Sequence, residues 1–305
     1  MCRQRKAKEF TLSRRQFPNP EQPDKLGLIA GQGRLPFLVA SGARQAGRKI
    51  ICVGLADNAE PALADEVDVY YSVPIARVGN WIRKLKRHGV TDAIMVGRVA
   101  KRRIFTPWRI LRYLPDWRAI RIWYWRLRGK NKLNDTLLSA LADELASGGV
   151  KLANSTTYCQ EHLSTEGPMT KTGPGGQVKS DIDFGWELLK KLVEMDIGQA
   201  IAVREREVIA VEALEGTARM IERAGQLCKS GGWTLVKAAK AKQDMRFDVP
   251  CVGPDTITSL AANGATCLVV EAGKTIIIDK TETLKLADEL GIAVVGYSGQ
   301  KDEKC

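Results

Sequence analysis

The chain has 305 residues, 44% of them hydrophobic, and carries 47 Lys and Arg against 35 Asp and Glu, for a net charge of +12. That length and apolar content suffice for two ordinary domains with their own cores, and the absence of any run of about 18 uncharged apolar residues excludes a transmembrane helix. Seven scattered cysteines without CxxC spacing fit free thiols in a reducing compartment, and with His88 and His162 as the two histidines they argue against zinc, leaving oxygen ligands and Mg²⁺ or Mn²⁺ for any metal.

Residues 1–23 open on Met-Cys-Arg-Gln-Arg-Lys-Ala-Lys. They are basic with no apolar h-region behind them, so they read as a disordered tail rather than a secretory signal. From Lys25 an apolar strand runs into Gly31-Gln32-Gly33 and then a helix to about Ala46. Strands follow at Arg48 to Gly54 and Val67 to Ser72, then a basic helix from Ile75 to His88 and a strand from Asp92 to Val96. A helix from Asp135 to Ala146 and a strand at Val150 to Leu152 complete residues 24–162 as a Rossmann-like domain, a parallel sheet with crossover helices. Gly31 and Gly33 lie where a phosphate meets a helix N-terminus. Pro36 stands where a dinucleotide fingerprint has its third glycine, which argues against NAD, and a plain tight turn fits equally well. Asn134-Asp135-Thr136 reads as a helix N-cap, with substrate contact by Asp135 as the alternative.

Between Gly97 and Lys132 stand 12 basic residues against one acid, Asp116, interleaved with Trp108, Tyr113, Trp117, Trp123, Tyr124 and Trp125. Basic groups among interfacial aromatics suit an anionic membrane surface or an amphipathic lipid. A helix pair that buries its tryptophans and leaves its arginines in water is the structural alternative. Single-strand nucleic acid is a third, disfavoured because no helix-turn-helix, zinc-finger or RNP signature is present.

Residues 163–180 hold Gly167, Pro168, Gly173, Pro174, Gly175 and Gly176 and read as a linker. Residues 181–305 then form a second, mixed α/β domain: a helix to Met195, strands at Ala200 to Val203 and Val208 to Glu212, and a helix from Thr217 to Leu227. A strand at Thr234 to Lys237, a helix from Pro254, a strand pair at Cys267 to Glu271 and Thr275 to Ile278, a helix to Leu290 and a strand at Ile292 to Tyr297 complete it. Glu212 and Glu215-Gly216-Thr217 sit at a strand-to-helix turn, where carboxylates bind Mg²⁺ or substrate hydroxyls, or where Thr217 caps the helix.

The stretch after Lys237 gathers Lys240, Lys242, Asp244, Arg246 and Asp248 before Pro250, Gly253 and Pro254. An extended backbone there places Asp244, Arg246 and Asp248 on one side and Met245 and Phe247 on the other, a site for a metal and a phosphate. The competing reading is a solvated loop whose ion pairs contribute roughly 0 to 1 kcal/mol each. No Ser/His/Asp or Cys/His arrangement supports a nucleophilic hydrolase.

Four segments, Lys25 to Pro36, Asp196-Ile-Gly-Gln199, Ala210-Val-Glu-Ala-Leu-Glu-Gly-Thr217 and Gln243-Asp-Met-Arg-Phe-Asp-Val-Pro-Cys-Val-Gly253, together resemble the UDP-2,3-diacylglucosamine pyrophosphatases of lipid A biosynthesis, the two-domain type without a metallophosphoesterase fold. The resemblance runs from about residue 25 to 298. It implies Mg²⁺-dependent hydrolysis of the diphosphate of UDP-2,3-diacylglucosamine to UMP and 2,3-diacylglucosamine 1-phosphate, in the cytoplasm and against the inner face of the membrane. The essential aspartate of that family's Arg-x-Asp-x-Pro segment falls on Asp248, which is expected to bind the metal or orient water, with Arg246 and Lys237 stabilising diphosphate charge. Substrate contacts are expected from Gly31, Gly33, Asp135, Glu212, Glu215, Gly216, Thr217, Gln243 and Asp244. Ala218 departs from the family, which often has Asp after Glu-Gly-Thr. A non-catalytic basic module for anionic lipid or nucleic acid, or a hydrolase of another nucleotide-sugar, are the alternatives, and the oligomeric state is open, a homodimer included.

Overall fold

The computed structural model describes residues 24–99, 114–122, 124, 134–240, 244–247 and 249–299. The basic tail and much of the aromatic-basic segment lie outside them. The first domain runs β1 (Lys25–Ala30), α1 (Leu35–Gln45), β2 (Lys49–Leu55), β3 (Val69–Val73), α2 (Val78–Arg87), β4 (Asp92–Val96), α3 (Trp117–Arg121), α4 (Asn134–Ser147) and β5 (Lys151–Leu152). Its five strands lie in the order β3-β2-β1-β4-β5, and every pairing is parallel.

Helices cover both faces of this sheet, which is why β1 and β2 are continuous apolar runs and do not alternate. On α2 the buried residues are Val78, Trp81, Ile82 and Leu85, spaced i, i+3, i+4 and i+7 as one helical face requires. Trp81 is fully buried and donates its indole N–H to Pro74 O at 3.1 Å; truncating it to alanine would cost on the order of 3–5 kcal/mol.

The second domain runs β6 (Gly167–Pro168), α5 (Gly176–Glu194), β7 (Ala200–Arg204), β8 (Glu207–Val211), α6 (Thr217–Leu227), β9 (Trp233–Lys237), β10 (Cys251–Val252), α7 (Pro254–Ala262), β11 (Ala265–Glu271), β12 (Ile276–Ile277), α8 (Lys280–Glu289) and β13 (Ala293–Tyr297). Six strands form a mixed sheet, β6-β13-β11-β9-β7-β8, whose centre β13-β11-β9 is parallel and whose flanks are antiparallel. One core lies between this sheet and α6, α7 and α8, and another lies under α5.

Two expectations change here. Residues 163–180 are not a structureless linker: they supply β6 on the edge of the second sheet and the first turn of α5. The apolar run at Thr275 to Ile278 does not pair with β11. It forms β12, which pairs in parallel with β10 in a separate two-stranded sheet, because a tight turn at Gly273 (φ +71°) and the Glu271 carbonyl's bonds to the Lys274 and Thr275 N–H groups carry the chain away from β11.

That small sheet joins the domains. Ile276 is buried in the core beneath α1 of the first domain, with Val249, Cys251 and Ile278 packed around it. Polar ties run alongside: Arg34 pairs with Asp279 at 3.1 Å, and Lys280 Nζ donates to Leu163 O at 2.6 Å.

Candidate functional site

In the first sheet the connections leave β1 toward β2 and β4 toward β5, so the carboxyl ends of β1 and β4 form a topological switch point, the place where open α/β sheets bind ligands. Here the loops after β1 and β4 touch. Gly31 N–H donates to Val96 O at 2.8 Å, and Gln32 and Arg98 exchange backbone hydrogen bonds at 2.8 and 2.9 Å. A Cβ on Gly31 would stand 2.7 Å from Arg98 O, so only glycine fits. Gly33 is different: nothing crowds it, and its φ of +106° is what requires glycine.

In the second domain Lys237 ends β9 on the face covered by α6. Its Nζ donates to Thr217 Oγ1 at 2.9 Å, and that hydroxyl donates to Glu212 Oε1 at 2.8 Å. Lys237 and Glu212 are each 6% exposed, and Glu212 Oε2 is buried without a hydrogen-bond partner among the described residues. Thr217 therefore does not cap its helix, since its hydroxyl is spent on this relay; the N-cap of α6 is Gly216 at φ +81°, with no side-chain cap and no acid in the first turn. Ala218 keeps that turn free of a carboxylate. An ammonium held at the open N-terminus of an α-helix is a cradle for an anionic oxygen.

Glu215 turns away from this cradle. Its carboxylate accepts from Ala213 N–H at 3.2 Å and from Arg223 at 2.5 Å, and backbone and Arg223 hydrogen bonds hold its pKa below the ordinary value. On the opposite face of the sheet, Glu271 accepts from Lys190 at 2.8 Å, Lys274 at 2.9 Å and Ala239 N–H at 2.8 Å. Burial works to raise its pKa, but those hydrogen bonds outweigh it and the net shift is downward.

The segment after β9 crosses to the first domain. Ser155, just beyond β5, donates its N–H at 3.0 Å and its hydroxyl at 2.6 Å to Met245 O, and Phe247 packs against the core around α2. Of the two readings of this segment the loop is the one formed where it is described: residues 245–247 make a turn. Asp244 accepts Arg246 N–H at 3.0 Å and grips its guanidinium at 2.6 to 3.0 Å, closing a local turn that competes with extension. The Arg246 hydrogen bond is also what lowers the Asp244 pKa. Asp244 is thus neutralised by its neighbour and is not an open metal ligand.

Of the expected residues, Lys237, Glu212, Gly216 and Thr217 come together; Asp244 and Arg246 pair on the domain seam; Gly31 and Gly33 stand at the switch point. Asp248 and Gln243 lie outside the described residues, as does the side chain of Asp135, in the first turn of α4. Gln199, which the sequence reading does not single out as a site residue, stands at the end of β9 beside Lys237. Its Oε1 is buried without a partner among the described residues, its carbonyl accepts Ala238 N–H at 3.0 Å, and the adjacent Gly198 is required because a Cβ there would collide with the Glu212 carbonyl. The signal was the glycine of Asp-Ile-Gly-Gln. Among the described residues no three His, Cys, Asp or Glu side chains converge on a metal position. Burial pushes Cys52, Cys159 and Cys267 up to about 12, which removes them as nucleophiles.

The aromatic-basic segment inverts its structural alternative where it is described. Arg118 and Arg121 point inward to Glu144, which is fully buried, at 2.8 and 2.5 Å. Trp117 points outward, 69% exposed, in company with Leu114, Ile120 and Tyr124.

A family model described as the LpxI N-terminal domain matches residues 25–162, and one described as the LpxI C-terminal domain matches residues 165–295. The UDP-2,3-diacylglucosamine pyrophosphatase LpxI of Caulobacter vibrioides is 30% identical over 286 residues, spanning 91% of this chain and 99% of that protein.

Proposed function

The chain belongs to the LpxI family, and from that premise we propose that it hydrolyses the diphosphate of UDP-2,3-diacylglucosamine to UMP and 2,3-diacylglucosamine 1-phosphate in lipid A biosynthesis. The observation that carries this reading is the Lys237 ammonium fixed beside the uncapped N-terminus of α6. In the reaction a water oxygen bonds to one phosphorus, the bridging P–O bond breaks, its electron pair leaves with the other phosphate, and the water proton passes to solvent. Catalysis of such a step is chiefly positioning and electrostatic stabilisation of phosphoryl oxygens, which Lys237 and the first-turn N–H groups of α6 supply. Asp248 is assigned to orient the water, as the family resemblance implies, and Arg246, its charge offset by Asp244, to stabilise charge on the diphosphate.

Mg²⁺ is compatible with the described residues because it ordinarily rests on one or two carboxylates and the substrate's phosphates. Glu212, whose buried Oε2 has no hydrogen-bond partner among the described residues, is the described carboxylate suited to it, and Asp248 is the one the family resemblance implies. Bound there, the ion would neutralise charge on the diphosphate. No helix among the described residues is long and apolar enough to cross a membrane. The exposed Trp117, Tyr124, Leu114 and Ile120 support a peripheral contact with acyl chains or the inner membrane face.

The test is UMP release from UDP-2,3-diacylglucosamine with Mg²⁺ by wild type, Asp248→Ala and Lys237→Ala. Turnover by wild type and loss in Asp248→Ala is expected. Full activity in Asp248→Ala removes that residue from the mechanism, and an inactive wild type rejects the assignment.

A further inference from the structure

We propose that α3 and the basic row of α2 form a docking surface for a bilayer of anionic phospholipid, with Trp117 set at its headgroup boundary. The inference rests on the diphosphatase reading, since a diacylated substrate resides in such a bilayer, and it commits the exposed aromatic face to the membrane in place of the substrate's own acyl chains.

The fold spends the single acid of the segment from Gly97 to Lys132. Asp116 Oδ2 accepts the N–H groups of Gly79 and Asn80 at 2.6 and 3.2 Å, and its Oδ1 accepts Ala119 N–H at 3.0 Å. Its own N–H donates to Ala76 O at 3.1 Å. One carboxylate thus caps α3 and the first turn of α2 together. That fixes α3 to the domain and leaves no uncommitted acid of the segment among its 12 basic residues.

The inner side of α3 is equally committed. Ala119 and Ile122 pack with Trp81, Ile82 and Leu145 in the core, and Arg118 and Arg121 reach Glu144. Trp117 and Ile120 follow at i and i+3 on the outer side, with Leu114 before them, and Trp117 is 69% exposed. A tryptophan held outward on a helix whose core side is already filled is an apolar body with a polar tip, the kind of side chain that settles where bilayer and water meet.

Charge comes from α2, which carries Arg83, Lys84, Lys86 and Arg87 and no Asp or Glu. A Cβ on Gly79 would stand 2.9 Å from Asp116 Oδ2 and 3.4 Å from Arg118 Cδ, so the Gly79 side of α2 is the one that faces α3. Arg83 and Lys86 follow Gly79 at i+4 and i+7 and continue along that side. Both are exposed, and Lys86 Nζ also reaches Gly149 O at 3.4 Å. A basic row by itself suits any polyanion and an exposed tryptophan by itself any apolar interface. Side by side they suit an anionic bilayer, where each Lys or Arg near the surface strengthens association about fivefold.

The test is co-sedimentation of the full chain with vesicles of phosphatidylcholine, with and without phosphatidylglycerol, alongside UMP release from detergent-dispersed substrate. Trp117→Ser and the double variant Arg83→Gln, Lys86→Gln change exposed side chains, and circular dichroism checks that each is folded. Wild type is expected to bind the phosphatidylglycerol vesicles about tenfold or more tightly than phosphatidylcholine alone, with the preference lost at high salt. Trp117→Ser should weaken that binding about tenfold, and the double variant about 25-fold, two steps of fivefold. Equal affinity for the two vesicles, or wild-type binding by either folded variant, overturns the surface. Tighter binding to a single-stranded oligonucleotide than to the anionic vesicles overturns it in favour of nucleic acid. Vesicle binding without UMP release removes the hydrolase reading and leaves the docking surface standing; UMP release without vesicle binding does the reverse.

Discussion

Lys237 Nζ stands 2.9 Å from Thr217 Oγ1, although the two residues belong to different elements 20 positions apart. Thr217 in turn donates its hydroxyl hydrogen bond to Glu212 Oε1 at 2.8 Å, so the lysine's place at the mouth of α6 is set by a hydroxyl and a buried carboxylate, and not by its flexible stem.

Thr217→Val keeps the shape and removes both hydrogen bonds. It is expected to lower kcat for UMP release about 10- to 100-fold, the scale of an ångström-sized misplacement, with KM changed by only a few-fold. Thr217→Ser should restore most of the rate. An unchanged kcat in Thr217→Val would show that Lys237 needs no such support.

Arg246→Lys keeps the charge but cannot reproduce the paired grip on Asp244, which Arg makes through Nε and an Nη atom. The 245–247 turn should loosen. About a tenfold fall in kcat/KM is expected, together with faster proteolytic cleavage in the seam segment; identical cleavage and activity would dismiss the pair as a surface contact.

Gly31→Ala and Gly33→Ala should differ in cause and size. The first drives a methyl to 2.7 Å from Arg98 O and 2.9 Å from the Gly97 carbonyl carbon, costing about 2–3 kcal/mol through backbone displacement. The second meets nothing within 4 Å and suffers only its positive φ, about 1–2 kcal/mol. Denaturant midpoints measure both, and a larger loss for Gly33→Ala would contradict the close approach of the β1 and β4 loops.

Glu271 ties stability to pH. Its pKa in the folded chain lies below the ordinary 4.5, so the unfolded chain binds its proton first as pH falls. Its contribution is complete above about 4.5 and is lost as pH drops through the lower folded value. Glu271→Gln removes the charge that Lys190 and Lys274 share. It should lower stability by about 1–3 kcal/mol at neutral pH and flatten the acid limb of the stability curve. A limb as steep as wild type would assign acid sensitivity to other carboxylates.

The strands and most helices were legible because each carries its signal locally. Parallel strands covered on both faces are apolar without a break, as in β1 and β2, and Val78, Trp81, Ile82 and Leu85 announce the buried face of α2. Pairing was not legible. Nothing in Thr275 to Ile278 says that its partner is Cys251-Val252 and not the strand just before it, since pairing depends on where the intervening turns carry the chain.

The sequence by itself determined the two-domain α/β organisation, the family, and the segments that hold the chemistry, because hydrophobic periodicity, glycine placement and four short motifs are properties of neighbouring residues. Only the tertiary structure decided which of those residues act together. For Asp244 and Arg246 the sequence leaves open an extended site for a metal and a phosphate or a loop with ion pairs; the turn at 245–247 pairs them with each other. Thr217 fits a substrate contact or a helix cap by sequence; the approach of β9 makes it the link between Lys237 and Glu212. Charge and hydrogen-bonding capacity are written residue by residue, but whether they are spent on a neighbour, a distant strand or a ligand is set by distances of about 3 Å that exist only once the chain has closed on itself.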